Sequence, residues 1–156
     1  MAAAVALTAL TAGACRRGQP IPEGNIAATL TLPTTSSTEP FDPTALRGKP
    51  AIVVFAWPTC GYCAQEIPIA QKVADAEGAT LVVVFTRGAE KHAASVSKSL
   101  GVTGPVLVDK GGALGKRYGV EAVPYTLVLD AEGSAVRAYK GAQDEDTLRS
   151  AVVAAR

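Results

Sequence analysis

The chain has 156 residues, with 15 lysines and arginines against 14 aspartates and glutamates, and a formal net charge of +1 at pH 7. This balance gives no electrostatic reason to expect a nucleic acid as partner. Hydrophobic residues make up 48% of the chain and charged residues 19%, which excludes a disordered chain and provides material for a packed core. Three cysteines are too few for a disulfide-scaffolded miniprotein. These counts predict one globular enzyme or binding domain with a short leader.

The first fourteen residues have the character of an export signal. Residues 2–14 are small, apolar and uncharged, a run too short to cross a hydrocarbon layer of roughly 30 Å as a helix, but typical of a secretory signal. Cys15 follows small residues directly, as in a bacterial lipoprotein signal that leaves the cysteine as the acylated first residue. We therefore expect a signal peptide over residues 1–14, lipid attachment at Cys15, and a periplasmic or other extracytoplasmic location at a membrane. An ordinary signal peptide cleaved nearby, or an unexported chain with an incidental cysteine, are the alternatives.

A polar stretch separates this leader from the main body. Residues 19–39 are rich in proline, threonine and serine, and such a composition buries too little apolar area to offset the entropy of ordering it. We therefore expect residues 15–39 to be a linker and residues 40–156 to form the domain. Within the linker, the alternation of Ile26, Ala28, Leu30 and Leu32 predicts one short strand.

The body of the chain alternates predicted strands and helices. Continuous apolar runs at 51–56 and 81–85 predict strands buried on both faces, as occurs where helices cover both sides of a sheet. Between them, apolar side chains at helical spacing predict a helix from Cys60 to about Glu77, ended by Gly78. The elements that follow are a helix at 90–100, a strand at 105–108, a helical turn at 111–118, a hairpin of strands at 125–129 and 135–139, and a helix from 144. The pattern indicates an α/β domain.

The most informative stretch is Trp57-Pro58-Thr59-Cys60-Gly61-Tyr62-Cys63, where a buried strand ends and a helix begins. The first turn of a helix has unpaired N–H groups and the positive end of the helix dipole, so it stabilises a thiolate. We therefore expect the pKa of Cys60 to lie below the free value of about 8.5. The spacing places Cys63 one turn further in, more buried but close enough to form a disulfide with Cys60. Cys60 is thus the predicted attacking thiol, and Cys63 the resolving thiol that displaces the client and leaves the pair oxidised.

A cysteine pair of this kind has two other possible uses. A purely structural disulfide is one alternative. A zinc site is another, but zinc normally takes four ligands, and neither His92 nor Cys15 stands at ligand spacing from the pair. We therefore expect redox chemistry and no metal site.

Two further features of the sequence accompany the dithiol. Glu66 follows Cys63 by three residues and so shares its helix face. A carboxyl there either opposes thiolate formation or exchanges the proton that the reaction moves, unless Glu66 is a plain surface residue. Val123-Pro124 directly precedes a predicted strand, a position that proline tolerates.

The combination resembles the thioredoxin superfamily and, within it, the TlpA-like exported thiol–disulfide oxidoreductases. The residues that carry the resemblance are Leu46-Arg47-Gly48-Lys49-Pro50, the dithiol with Glu66 and Pro68, Tyr118-Gly119-Val120, Val123-Pro124, Asp130 and Gly133. The resemblance implies a thioredoxin-like fold, with a central mixed sheet flanked by helices. The separation between Cys63 and Pro124 exceeds that of a minimal thioredoxin, in agreement with the strand–helix insert of TlpA-like proteins.

The resemblance also implies roles for individual residues. The proline matching Pro124 is cis in this family and packs against the dithiol, the residue matching Val123 offers backbone hydrogen bonds to the client, and the glutamate matching Glu66 tunes the thiols. Thr59 stands where the family usually has tryptophan, so Trp57 is expected to cover the site from two positions earlier. Val54 replaces the buried aspartate of thioredoxin, which leaves Glu66 as the candidate for proton transfer.

The implied activity is reduction of protein disulfides outside the cytoplasm, without a cofactor. A membrane electron donor recharges such proteins, and their clients include apocytochromes c and copper-site assembly factors. We expect a monomer, since the separate dimerisation domain of DsbC-type isomerases has no counterpart here. A metallochaperone that binds Cu(I) through the dithiol is one alternative. A peroxiredoxin-type peroxidase is the other, although its Pro-x-x-x-Thr/Ser-x-x-Cys signature is not met at Cys60.

Overall fold

A mixed sheet of five strands lies at the centre of the protein, in the spatial order β3-β2-β1-β4-β5. The computed structural model describes residues 19–88 and 90–156, so the predicted signal peptide and Cys15 lie outside the described residues. The strands and helices are β1 Ala51–Ala56, α1 Gly61–Glu77, β2 Thr80–Phe85, α2 Glu90–Ser99, β3 Val106–Val108, α3 Ala113–Arg117, β4 Tyr125–Leu129, β5 Ala135–Lys140 and α4 Glu145–Ala154. Short 3-10 helices span Ala27–Thr29, Pro43–Leu46 and Lys110–Gly112. The predicted α/β class and mixed sheet flanked by helices are confirmed.

The strand directions bring two distant parts of the chain together. Strands β1, β2 and β3 are parallel, whereas β4 is antiparallel to β1 and β5 is antiparallel to β4. Because Phe55 in β1 lies opposite Tyr125 in β4, the end of β1 meets the beginning of β4. The segment that follows β1 therefore lies beside Val123-Pro124, which precedes β4.

One face of the sheet is covered by α1, α2 and α4. Ile52 and Val54 of β1 pack there with Ile67 of α1 and with Leu148 and Val152 of α4, and all five are fully buried. Helix α4 begins after Asp144, whose side chain accepts the N–H of Thr147 at 2.8 Å. Burial of β1 on both faces explains why its sequence is continuously apolar rather than alternating.

The opposite face is covered in part by the segment predicted to be a linker. Ile26 and Leu30 are 1% and 0% exposed and belong to the same core cluster as Phe55. Backbone hydrogen bonds fasten the segment, since Ala27 N–H donates to Gly133 O at 3.0 Å. The predicted strand over 26–32 is wrong: Ala27–Thr29 is a 3-10 helix, and its turn directs Ile26 and Leu30, four residues apart, to one side. The linker prediction also fails for residues 25–35, because these two large apolar side chains bury enough area to order the segment.

Candidate active site

The cysteine pair lies at the N-terminus of α1, directly after the loop that leaves β1. Cys60 is the N-cap residue of α1, and its Sγ accepts the N–H of Cys63 at 3.1 Å. The two cysteines form a disulfide, with their Cα atoms 5.3 Å apart. Cys63 is only 1% exposed, whereas Cys60 is half-buried. Cys60 therefore carries the sulfur that a client can reach, and it faces the unpaired N–H groups of the first helical turn.

Val123 and Pro124 form one wall of this site. Their peptide bond is cis, and the carbonyl oxygen of Val123 lies 3.8 Å from Cys60 Sγ. Pro124 is buried and Val123 is half-buried. The antiparallel register of β1 and β4 produces this arrangement, which agrees with the packing that the family resemblance implies.

The Trp57 side chain contacts the two residues that follow β2, Thr86 and Arg87. Its indole Nε1 donates to Thr86 Oγ1 at 3.0 Å, and the Arg87 guanidinium carbon lies 4.5 Å from the centre of the indole ring. The Trp57 carbonyl accepts the N–H of Cys60 at 3.1 Å, which closes the turn before the helix. Thr86 and Arg87 were not predicted from the sequence. The available signal was their place directly after β2, because the C-terminal ends of neighbouring parallel strands lie at one edge of a sheet.

Glu66 is buried between α1 and the strands rather than at the surface. Its side chain is 0% exposed, one oxygen accepts the hydroxyl of Thr126, and the other accepts the N–H of Gln143 at 2.9 Å. Thr126 lies opposite Val54 in the β1–β4 register. The surface alternative for Glu66 is therefore wrong. Thr126 and Gln143 were not predicted either, although a threonine directly before the apolar run Leu-Val-Leu of the buried strand β4 was a signal for the first.

The environment of Glu66 favours its protonated form. Burial raises the pKa of Glu66 above its ordinary value of 4.5, and the hydrogen bonds from Thr126 and Gln143 oppose that rise. A buried carboxyl whose pKa is moved towards neutrality can hold or release a proton where thiols exchange. Val54, at the position of the buried aspartate of thioredoxin, is fully buried and has no group that can transfer a proton. Glu66 is therefore the side chain suited to that role.

Glu66→Gln is expected to change how stability depends on pH. Because the folded-state pKa of Glu66 exceeds 4.5, its contribution to stability is fully present below about pH 4.5 and is lost as pH rises through the folded-state pKa. The glutamine has no such proton to lose, so the free energy of unfolding of the variant should rise relative to wild type as pH increases above about 4.5 and through the folded-state pKa of Glu66. Urea titrations at several pH values measure the difference. Exposed Glu39→Gln is the control, and parallel pH curves for wild type and Glu66→Gln would contradict the assignment.

His92 is exposed on α2 and lines a small cavity together with Trp57 and Thr59. Within residues 19–88 and 90–156, no group of three or more histidine, cysteine, aspartate or glutamate side chains is arranged to hold a metal ion.

Comparison with known proteins identifies the family. The family model described as Redoxin matches residues 16–154. The chain belongs to the redoxin family. This redoxin is 33% identical to the soluble secreted antigen MPT53 of Mycobacterium tuberculosis over 124 residues, which is 78% of this chain and 72% of MPT53. It is also 27% identical to the thiol-disulfide oxidoreductase ResA of Bacillus thuringiensis over 105 residues, covering 65% of this chain and 61% of ResA.

Solved structures support the same placement. A secreted Mycobacterium tuberculosis disulfide oxidoreductase homologous to Escherichia coli DsbE superposes with a TM-score of 0.71 at 30% identity, covering 84% of this redoxin and 99% of that chain. The M. tuberculosis protein dsbF, in mixed oxidised and reduced forms, gives a TM-score of 0.73 at 25% identity, covering 88% and 100%. The thioredoxin-like fold and the predicted superfamily are confirmed, and this redoxin is a thiol–disulfide oxidoreductase.

Proposed function

We propose that this redoxin reduces disulfides of client proteins outside the cytoplasm, with Cys60 as nucleophile and Cys63 as resolving thiol. The observation that carries the proposal is the unequal exposure of two cysteines at one helix N-terminus: Cys60 caps the helix at the surface, and Cys63 is buried behind it. A structural disulfide needs no such difference. A pair with an attacking and a resolving thiol needs this difference in exposure, because Cys63 should react only after a client sulfur is bound to Cys60.

The reaction proceeds by two exchanges that conserve electrons. The Cys60 thiolate attacks one sulfur of the client disulfide, forms a mixed disulfide and releases the other client sulfur as a thiolate. The Cys63 thiolate then attacks Cys60 Sγ and releases the second client thiolate, so the client gains two electrons and the Cys60–Cys63 disulfide forms. A dithiol donor at the membrane restores the reduced pair and is itself oxidised. The backbone of Val123 forms hydrogen bonds with the client, and Glu66 takes up or supplies the proton of the resolving thiol.

The proposed location is extracytoplasmic, with residues 1–14 as a cleaved signal peptide and Cys15 as the lipid-bearing first residue. The secreted nature of MPT53 and of the DsbE homologue supports export. Within the described residues no helix has the length and apolar character to cross a membrane. Mass spectrometry of the native protein tests the anchor: acylated Cys15 is expected, and an uncleaved chain with unmodified Cys15 would contradict it. Apocytochromes c and copper-site assembly proteins are the client classes to test first.

Insulin reduction and the reduction potential test the direction of electron flow. Catalysed precipitation of insulin with a thiol donor is expected, together with a potential near the roughly −270 mV of thioredoxin. A potential near the roughly −120 mV of DsbA would indicate an oxidase instead. Tight binding of Cu(I) with negligible insulin reduction would favour the metallochaperone alternative.

A further inference from the structure

A groove adjoins the loop that precedes the dithiol, at Trp57 and Thr59. Its larger part has a volume of about 400 Å³, and its lining includes Trp57, Thr86, Arg87, Gly111, Lys116 and Val120. A smaller part of about 190 Å³ shares Trp57 and Arg87 and extends to His92 and to Thr59, the neighbour of Cys60. Because the two parts share lining residues, they are neighbours between Thr59 and Lys116, and the larger volume is in the range of ligand sites.

The charge in this groove is positive. Arg87 and Lys116 are exposed, and neither has an ion-pair partner within the part of the chain that the structure describes. The nearby carboxylate of Asp109 is turned inward: it is 2% exposed, and its oxygens accept the N–H groups of Leu114 at 3.2 Å and Gly115 at 2.9 Å. Two cations therefore face the groove, and the negative charge beside it is already satisfied by backbone donors.

Arg87 is held in a fixed position. Its guanidinium lies against the Trp57 ring, and the indole is fixed by its hydrogen bond to Thr86. A guanidinium oriented by stacking keeps its planar set of N–H donors free for a carboxylate and loses little further entropy on binding. Gly111, in the same lining, has a φ of +78°, and no atom lies within 4 Å of where a Cβ would stand, so this part of the groove is open.

We propose that this groove binds an acidic segment of the client polypeptide that flanks the disulfide attacked by Cys60, with Arg87 and Lys116 contacting its carboxylates. The inference rests on the proposed reductase function and names its substrate class: clients with aspartate or glutamate near the reactive cystine. The groove begins next to Cys60 and ends at Lys116, so a client chain can contact both cations while its disulfide lies at the sulfur. Arg87 and Lys116 are specificity-determining residues and take no part in the exchange itself.

Two matched peptides test this inference. Each contains one intramolecular disulfide of the same ring size, flanked by glutamates in the first peptide and by glutamines in the second. The second-order rate constant for reduction by the reduced full-length protein is measured by stopped flow. The glutamate peptide is expected to react faster, and Arg87→Gln/Lys116→Gln to slow it by roughly tenfold while changing the glutamine peptide less than about twofold, because such charges act on association. Added salt should remove the same advantage.

A second double variant controls for net charge. Lys98→Gln/Arg137→Gln removes two exposed cations from α2 and β5, and it is expected to leave both peptides at the wild-type rate. Equal wild-type rates for the two peptides, or equal slowing of both by Arg87→Gln/Lys116→Gln, would overturn the inference alone. Failure to reduce either peptide would overturn the reductase proposal and this inference with it.

Discussion

Cys60→Ser is expected to abolish protein-disulfide reduction, with a loss of at least roughly a thousandfold in the rate constant. The thiolate is the nucleophile in the exchange, and a serine hydroxyl in the same position does not ionise at neutral pH. Cys63 does not replace Cys60, because its side chain is 1% exposed and lies behind the helix N-cap. Insulin reduction and reduction of a disulfide peptide measure the loss.

Cys63→Ser is the matched variant, and its expected defect is different. The attack by Cys60 still occurs, but the mixed disulfide with the client accumulates because no second thiol displaces it. Mass spectrometry should find the client linked to Cys60, and the same trap in cells identifies the physiological clients. Reduction that survives in Cys60→Ser, or a client linked to Cys63 in the wild-type protein, would reverse the assigned roles.

Leu30→Ala is expected to lower the free energy of unfolding by about 2–5 kcal/mol, the usual cost of truncating a buried leucine. Leu30 is 0% exposed and belongs to the core cluster that contains Phe55 and Leu127, although it stands in a stretch whose composition predicts a linker. Urea denaturation of the wild-type and variant proteins, both fully oxidised, measures the difference.

The control for this prediction is Ile21→Ala. Ile21 is another large aliphatic residue of the same stretch, but it is 42% exposed. Its truncation is expected to change the free energy of unfolding by less than about 0.5 kcal/mol. Equal effects of the two substitutions would mean that the N-terminal segment is not part of the folded core.

The central elements of the fold were predictable because their sequences carry local signals. The run 51–56 is apolar and β-branched, and Gly78 ends α1 in the left-handed conformation with a φ of 65°. The segment at 26–32 was not predictable in this way. The spacing of its apolar residues is compatible with a strand, which repeats every two residues, and with a helical turn that places Ile26 and Leu30 on one side. Packing of these two residues against the sheet selects the helical turn.

In the candidate site, too, the residues with local sequence signals were predictable and those brought in by tertiary contacts were not. Cys60, Cys63 and Glu66 follow from spacing along one helix, and the closeness of Val123 and Pro124 to the dithiol came from the family resemblance. The partners of Glu66 depend on tertiary contacts, since Gln143 donates its backbone N–H, which any residue but proline supplies. Thr86 and Arg87 approach Trp57 because β2 lies beside β1, so their position directly after β2 was the signal for them, and no pattern of side chains was.

The pH dependence of alkylation of the reduced protein tests the central claim most directly. A small alkylating reagent is applied across a range of pH, and the modified cysteine is identified by mass spectrometry. The account predicts that Cys60 alone reacts rapidly, with a midpoint well below the roughly 8.5 of a free thiol, while Cys63 stays protected. Two thiols that react together with a midpoint near the free value would contradict it.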